Sequence, residues 1–162
     1  MSPAAEEGQG KERADEVESV LRASRALLGV VAQSVVEALE SVTLPQFRVL
    51  VVLASSGPAP IGVLAATLGS VPSTFSRFLD RMEEAGLVAR QPSPGSRREV
   101  LISLEPQGAA IVEEATERRR RAIAEILRRL GSAERAALVA ALDSFSLAAG
   151  EPAPETLLVM GL

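Results

Sequence analysis

The chain has 162 residues and a formal net charge of −4 at pH 7, and 47% of its residues are hydrophobic but only 2% are aromatic. Cysteine and histidine are both absent, which excludes disulfides, thiol redox switches, Cys/His zinc sites and histidine-based catalysis. The longest apolar run, residues 49–54, is far shorter than the roughly 20 residues of a membrane span, and we expect a cytoplasmic protein without a signal peptide.

The negative charge is concentrated at the N-terminus. Residues 1–20 hold two of the 17 basic and six of the 21 acidic side chains, so the rest of the chain is neutral. An acidic balance therefore does not exclude nucleic-acid binding, because a local basic patch matters more than the sum of charges.

The first 41 residues divide into a polar segment and a long helical pattern. Residues 1–12 are polar and contain glycine, a composition that predicts disorder. Residues 13–41 carry apolar side chains at steps of three and four, which predicts an amphipathic helix. Its apolar stripe needs a partner surface, which is either the core of this chain or a second copy of it.

A buried helix is predicted next. Thr43 suits an N-cap, and Leu44 and Pro45 make a helix start. Apolar residues fill the segment that follows, until "SSGPAP" at 55–60 ends it. We therefore expect this helix to be central.

Two short helices follow within the next 26 residues, as the spacing of capping residues indicates. Residues 61–69 predict a short helix with Gly69 at its end. Ser70 is predicted to cap a second helix over residues 71–86, closed by Gly86. Two short helices joined by a tight glycine-containing turn are typical of a helix-turn-helix.

The helix predicted over residues 71–86 has two distinct faces. At 100° per residue, one side carries the apolar residues Val71, Phe75, Phe78, Leu79 and Met82. The other side carries the polar residues Ser73, Thr74, Arg77, Asp80, Arg81 and Glu84. A DNA-recognition helix needs this layout, with one face in the core and one carrying donors and acceptors for bases and phosphates. The alternative is an ordinary surface helix with Arg77–Asp80 and Arg81–Glu84 ion pairs.

A β-hairpin is predicted directly after that helix. Residues 87–92 and 98–104 form its strands, with a Pro/Gly/Ser-rich loop between them. Arg97 and Arg98 lie at its tip, where a guanidinium can reach into a narrow minor groove. The alternative is a pair of solvated arginines that protect a strand edge from aggregation.

The C-terminal third is predicted to be helical. Pro106 begins a helix to about Leu130, crossed by "RRRR" at 118–121. This run could reach DNA phosphates or a ligand, but a solvated or ion-paired helix turn with Glu114 and Glu117 nearby is the favoured interpretation.

A last helix is predicted over residues 133–148, with Ser132 as its cap after Gly131. It places Leu138, Leu142 and Phe145 on one face. Residues 151–162 form a tail with an apolar end.

Several short motifs between residues 44 and 108 share one family pattern. They are Leu64-Ala65, Ser73-Thr74-Phe75-Ser76-Arg77, Leu79-Asp80-Arg81 and Gly86-Leu87-Val88-Ala89-Arg90. Together they resemble the MarR (multiple antibiotic resistance regulator) family of bacterial transcription factors. Two positions depart from the pattern: Ser96 stands where the family usually has an aspartate two residues before the wing arginine, here Arg98, and Glu105 stands where it has a threonine cap.

The resemblance implies a mainly α fold with a small β-hairpin wing, in which a winged helix-turn-helix lobe over residues 44–104 joins a helical dimerisation region. That region would comprise residues 13–43 and 105–150. It also implies a homodimeric regulator, expected to be a repressor, which binds a palindromic operator in double-stranded DNA and is released by a small aromatic or anionic ligand held between the two regions. The residues it implies for DNA contact are Ser73, Thr74, Ser76, Arg77, Arg81, Arg97 and Arg98.

No enzyme is expected, because no nucleophile–base pair, metal set or phosphate loop is evident, and neither is a cofactor or a metal. The main alternative function is a winged-helix protein-interaction module that lacks specific DNA binding.

Overall fold

The computed structural model describes the backbone of residues 3–93 and 96–150, and the side chains of residues 13–71, 74–93 and 99–150. Its elements in chain order are α1 (Pro3–Val35), α2 (Ala38–Ser41), α3 (Leu44–Ser56), β1 (Ala59–Pro60), α4 (Ile61–Thr67), α5 (Pro72–Glu84), β2 (Val88–Ser93), β3 (Ser96–Leu104), α6 (Pro106–Arg128) and α7 (Ser132–Ala148). The fold is therefore mainly α with a small antiparallel sheet, as predicted. No described helix is long and apolar enough to cross a membrane. The predicted tail, residues 151–162, lies outside the described residues.

The predicted helix over residues 13–41 is two helices in the structure. The first begins at Pro3, so it includes most of the segment for which composition predicted disorder; the run of Ala and Glu after Pro3 favours helix. It ends at Val35, and α2 begins three residues later. The break lies where Arg118 of α6 donates from Nε to the Ser34 carbonyl oxygen at 3.1 Å, which takes an acceptor that a continuous helix would use.

Helix α3 begins as predicted. The Thr43 hydroxyl accepts from the Gln46 backbone N–H, and the Gln46 side chain accepts from the Thr43 N–H at 2.8 Å, which makes a capping box. Val49 and Leu50 on this helix are fully buried. The central position expected for α3 is therefore confirmed.

Both predicted helix ends at glycine are confirmed, but one predicted cap is wrong. Gly69 and Gly86 adopt positive φ angles of 66° and 68°, the left-handed backbone that glycine adopts without strain. Ser70 does not cap α5, because Pro72 stands at the start of that helix and makes Val71 the N-cap. Ser70 instead donates its backbone N–H to the Ala65 carbonyl, which completes the turn after α4.

The hairpin is confirmed, and it belongs to a three-stranded antiparallel sheet of order β1-β3-β2. The two long strands pair from Val88↔Leu104 outward to Pro92↔Val100. The third strand, β1, was not predicted: Ala59 pairs with Ile102, within the segment expected only to end α3. Two residues are too few to show strand periodicity.

Most of the core lies in residues 44–104, which we call the central lobe, and Ala38, Val42 and Ala115 add to it from outside that range. Its fully buried side chains come from α3, α4, α5 and the sheet: Val49, Leu50, Leu64, Leu79, Met82, Val88 and Ile102. Helix α6 packs against this core through Gly108, where a Cβ would overlap the carbonyl oxygen of Leu87 and press on Leu50. The glycine thus permits the close approach of α6 to the lobe.

The outer helices α1 and α7 differ from the lobe. Gly131, rather than Ser132, is the N-cap of α7, and the Glu134 carboxylate accepts its backbone N–H at 2.7 Å. No residue of α7 is buried. Large apolar side chains are exposed on both helices, namely Val17, Val20, Leu21, Leu27, Leu28 and Val31 on α1, and Val139, Leu142, Phe145 and Leu147 on α7.

Candidate nucleic-acid interface

The polar face predicted for the second helix of the motif is exposed on α5. Thr74, Arg77 and Arg81 are exposed, while Ser76 is half-buried on the side of the helix nearest β2. Phe75, Leu79 and Met82 anchor the opposite face in the core, and each is at most 4% exposed. One predicted core residue is misplaced, because Val71 at the N-cap is 65% exposed.

The ion pairs offered as an alternative explanation of the α5 surface are not the ones that form. Asp80 pairs with Arg90 of β2, with 2.5 Å between Oδ1 and Nη2, rather than with Arg77. Among the described side chains, neither Arg77 nor Arg81 forms an ion pair. Two cationic side chains are therefore available on the exposed face of α5.

Arg90 binds a second carboxylate on the same helix. Its Nη1 donates to Glu83 Oε2, and its backbone N–H donates to Glu83 Oε1 at 3.1 Å. Burial lowers the pKa of Arg90, whereas its hydrogen bonds to Asp80 and Glu83 and their negative charges raise it, and the net shift is upward. Arg90 therefore stays cationic between two anions.

This cluster was not predicted from the sequence. In the sequence, Arg90 stands at the end of a family motif to which the resemblance assigns no role. A signal does exist: Asp80 and Glu83 are three residues apart on one flank of α5, and a cation follows at the start of the next strand. The sequence does not show how close that strand lies to the helix.

The wing follows the cluster directly. The strands β2 and β3 extend away from the core, and β3 begins at Ser96, so Arg97 and Arg98 belong to its first residues. The side chains of Arg97, Arg98 and Ser73 lie outside the described residues, and their predicted contacts stay predictions.

A cavity of about 320 Å³ lies on the other flank of α5, facing α3. Phe75 and Phe78 line it with their rings stacked at a centroid distance of 5.7 Å. Arg48 and Arg81 also line it, so it combines an apolar wall with two cations. All residues that line this cavity belong to the central lobe, whereas the resemblance implied a ligand between the lobe and the helical dimerisation region.

Two of the four arginines in the run on α6 are ion-paired. Arg118 binds Glu37 at 2.8 Å, in addition to the Ser34 carbonyl. Arg120 binds both Glu113 and Glu117, at 2.8 and 3.1 Å. The favoured interpretation of this run, an ion-paired helix turn, is confirmed for these two residues.

Metal binding is not suggested by the part of the chain that is described. Within it, no three acidic, His or Cys side chains lie close enough to hold a metal ion.

Comparison with known proteins gives the same fold and the same functional class. The sequence profile of the MarR family matches residues 42–100. An HTH-type transcriptional regulator of Mycobacterium bovis is 34% identical over 102 residues, which cover 63% of this chain and 71% of the relative.

Solved structures are similar over most of the chain. RV1404 from Mycobacterium tuberculosis has 43% sequence identity and a TM-score of 0.72, covering 83% of this chain and 92% of that one. A MarR family protein from Bacillus stearothermophilus has 30% identity and a TM-score of 0.67, covering 86% and 97%. The lobe and the helices around it therefore recur together in these relatives.

Proposed function

This chain belongs to the MarR family of transcriptional regulators, and from that premise we propose that it binds a palindromic operator as a homodimer and represses transcription. DNA binding and transcription regulation follow from the family itself. Among the finer statements, the exposed apolar surface of the outer helices supports the homodimer, and a palindromic operator follows from the two-fold symmetry of such a dimer. Repression is proposed from the resemblance alone. The family is not one of enzymes, and the proposed site is a cytoplasmic DNA-binding surface.

The observation that carries the proposal is the exposed face of α5. Arg77 is exposed at the middle of this face, with Thr74 one turn before it and Arg81 one turn after it. An arginine can make a bidentate contact to guanine in the major groove, and hydroxyl groups make single contacts. We assign Arg77 the main base contact and Ser73, Thr74, Ser76 and Arg81 contacts to bases or phosphates beside it.

The wing supplies the second DNA contact in this proposal. Arg97 and Arg98 are the second and third residues of strand β3, at the end of the hairpin that is far from the core. They would contact phosphates and the minor groove, and so contribute affinity rather than sequence preference. Ser96 lacks the carboxylate that usually accompanies the wing arginine in the family.

The homodimer is supported by the apolar surface of the outer helices. Leu28 of α1 is 66% exposed and Phe145 of α7 is 57% exposed. A large exposed apolar surface is rare on monomeric proteins and is typical of a protein–protein interface. We assign residues 13–43 and 105–150 to the dimerisation region and 44–104 to the DNA-binding lobe.

A small effector fits the cavity beside α5. Its two phenylalanines suit an aromatic ring, and Arg48 and Arg81 suit a carboxylate. Because Thr74 and Arg81 belong to both the cavity and the DNA-facing surface, a bound aromatic anion would compete with DNA. Release of labelled operator on addition of aromatic carboxylates tests this role.

The function is tested by selection of bound duplexes from a random pool, followed by affinity measurements on the recovered sequence. We expect a palindrome, and we expect Arg77→Ala to weaken its binding by about 1–3 kcal/mol. Arg120→Ala removes one positive charge from α6 and is the matched control. Recovery of no preferred sequence, with weak binding to all duplexes, would favour the protein-interaction module instead.

A further inference from the structure

The flank of α5 that faces the wing is acidic. Asp80 and Glu83 project from it, and their side chains are 51% and 39% exposed. Asp80 lies between Arg77 and Arg81 in the sequence, three residues after the one and next to the other. Two carboxylates in this position would stand close to the phosphates that the cationic face of α5 approaches.

Such carboxylates would oppose DNA binding. DNA attracts the protein through its phosphates, and each uncompensated negative charge near them reduces the attraction. Among the side chains that the structure describes, Arg90 is in contact with both acids: its guanidinium binds Asp80 through Nη2 and Glu83 through Nη1. Arg90 is itself only 27% exposed, so its charge is directed at the acids more than at solvent.

We propose that Arg90 is a positioning residue for DNA binding, which neutralises Asp80 and Glu83 so that the α5 surface next to the wing does not repel the phosphate backbone. This inference rests on the proposed function, in which α5 enters the DNA. Arg90 does not touch DNA in this proposal; it acts through the two carboxylates.

The chain provides a control for this arrangement. Arg120 of α6 also lies between two carboxylates, those of Glu113 and Glu117. Its cluster has the same chemistry but lies on α6, outside the proposed DNA-binding lobe. Loss of Arg120 should therefore free two acids without changing DNA affinity.

The test compares four variants with the wild-type protein by fluorescence anisotropy on the selected duplex and on a random duplex, across a series of salt concentrations. The variants are R90Q, D80N/E83Q, the triple variant R90Q/D80N/E83Q, and R120Q. Thermal unfolding of each variant reports whether it is folded.

We expect R90Q to bind both duplexes about tenfold more weakly at low salt, with the deficit shrinking as salt screens the freed carboxylates. The triple variant should return to within about threefold of wild type, although it has lost every contact in the cluster, because no free acid remains. D80N/E83Q should bind at least as tightly as wild type, since Arg90 is then uncompensated. R120Q should bind like wild type.

A merely structural role for Arg90 gives a different pattern. In that case the triple variant binds as weakly as R90Q, and the deficit does not depend on salt; either result overturns the inference. If R90Q does not fold, the comparison of D80N/E83Q with wild type decides, and weaker binding of this variant at low salt overturns the inference.

The result is separable from the proposed function. If R90Q binds like wild type while R77A loses the selected duplex, the role of Arg90 is wrong and the recognition helix stands. If wild type binds neither duplex, both are wrong.

Discussion

The central lobe and the outer helices are equally rich in apolar residues but use them differently. In the lobe, Leu50, Leu64, Leu79, Met82 and Ile102 are 0% exposed. On α7 no residue is buried, and Leu142 and Phe145 are 42% and 57% exposed. On the helices of the lobe and on α7 alike, the apolar residues recur with a helical period, so the difference in burial between these helices arises from their surroundings and not from the pattern.

This difference shows what an apolar stripe means. A stripe indicates that a helix face requires a partner surface, and it does not indicate which chain supplies that surface. In the lobe, the partner is supplied by α3, α4, α5 and the sheet of the same chain. For α1 and α7, we propose that it is supplied by a second copy. Substitutions in the two regions should therefore act on different equilibria.

The largest expected effect is in the lobe. Leu79→Ala removes a fully buried side chain from α5, and we expect it to lower the free energy of unfolding by about 2–5 kcal/mol. Chemical denaturation followed by circular dichroism measures the change. A loss below about 1 kcal/mol would mean that the lobe core is loosely packed and that the lobe and the outer helices differ little in how tightly their apolar side chains pack.

The next effect is expected at the outer helices. Phe145→Asp places a charge in the exposed apolar face of α7, and we expect it to weaken the dimer by about 2 kcal/mol or more while the lobe keeps its structure. Light scattering across micromolar concentrations measures the association. Ala140→Asp, on the opposite side of α7 from Leu138, Leu142 and Phe145, is the matched control. A wild-type protein that is a stable folded monomer would contradict the dimer itself.

A smaller effect is expected where helix α6 packs against the lobe. Gly108→Ala brings a Cβ onto the carbonyl oxygen of Leu87, which α6 can avoid only by moving away from the lobe. We expect a loss of about 1–3 kcal/mol in the free energy of unfolding. Gly62→Ala is the control, because nothing lies within 4 Å of its Cβ position and alanine favours the helix. Equal stability of the two variants would show that α6 can shift relative to the lobe without loss of stability.

Much of the site could be predicted, because it depends on one helix. The exposed positions of Thr74, Arg77 and Arg81 follow from a period of 3.6 residues once α5 is known to be a helix against a core. The Arg90 cluster could not be predicted in the same way. It joins α5 to β2, and its geometry depends on how the Gly86 turn sets the strand against the helix.

The sequence by itself determined the elements whose causes are local. The capping box at Thr43, the glycine ends of α4 and α5, and the alternation in the hairpin all involve residues a few positions apart. Their interactions can therefore be predicted from short segments of the sequence.

Only the tertiary structure decided the features that depend on distant partners. The long first helix ends at Val35, where Arg118, 84 residues after Ser34, donates to the Ser34 carbonyl oxygen. Strand β1 exists because Ala59 pairs with Ile102, and Asp80 bonds to Arg90 although Arg77 and Arg81 are nearer along the helix. In each case the partner is distant in the sequence, and packing brings it within hydrogen-bonding distance.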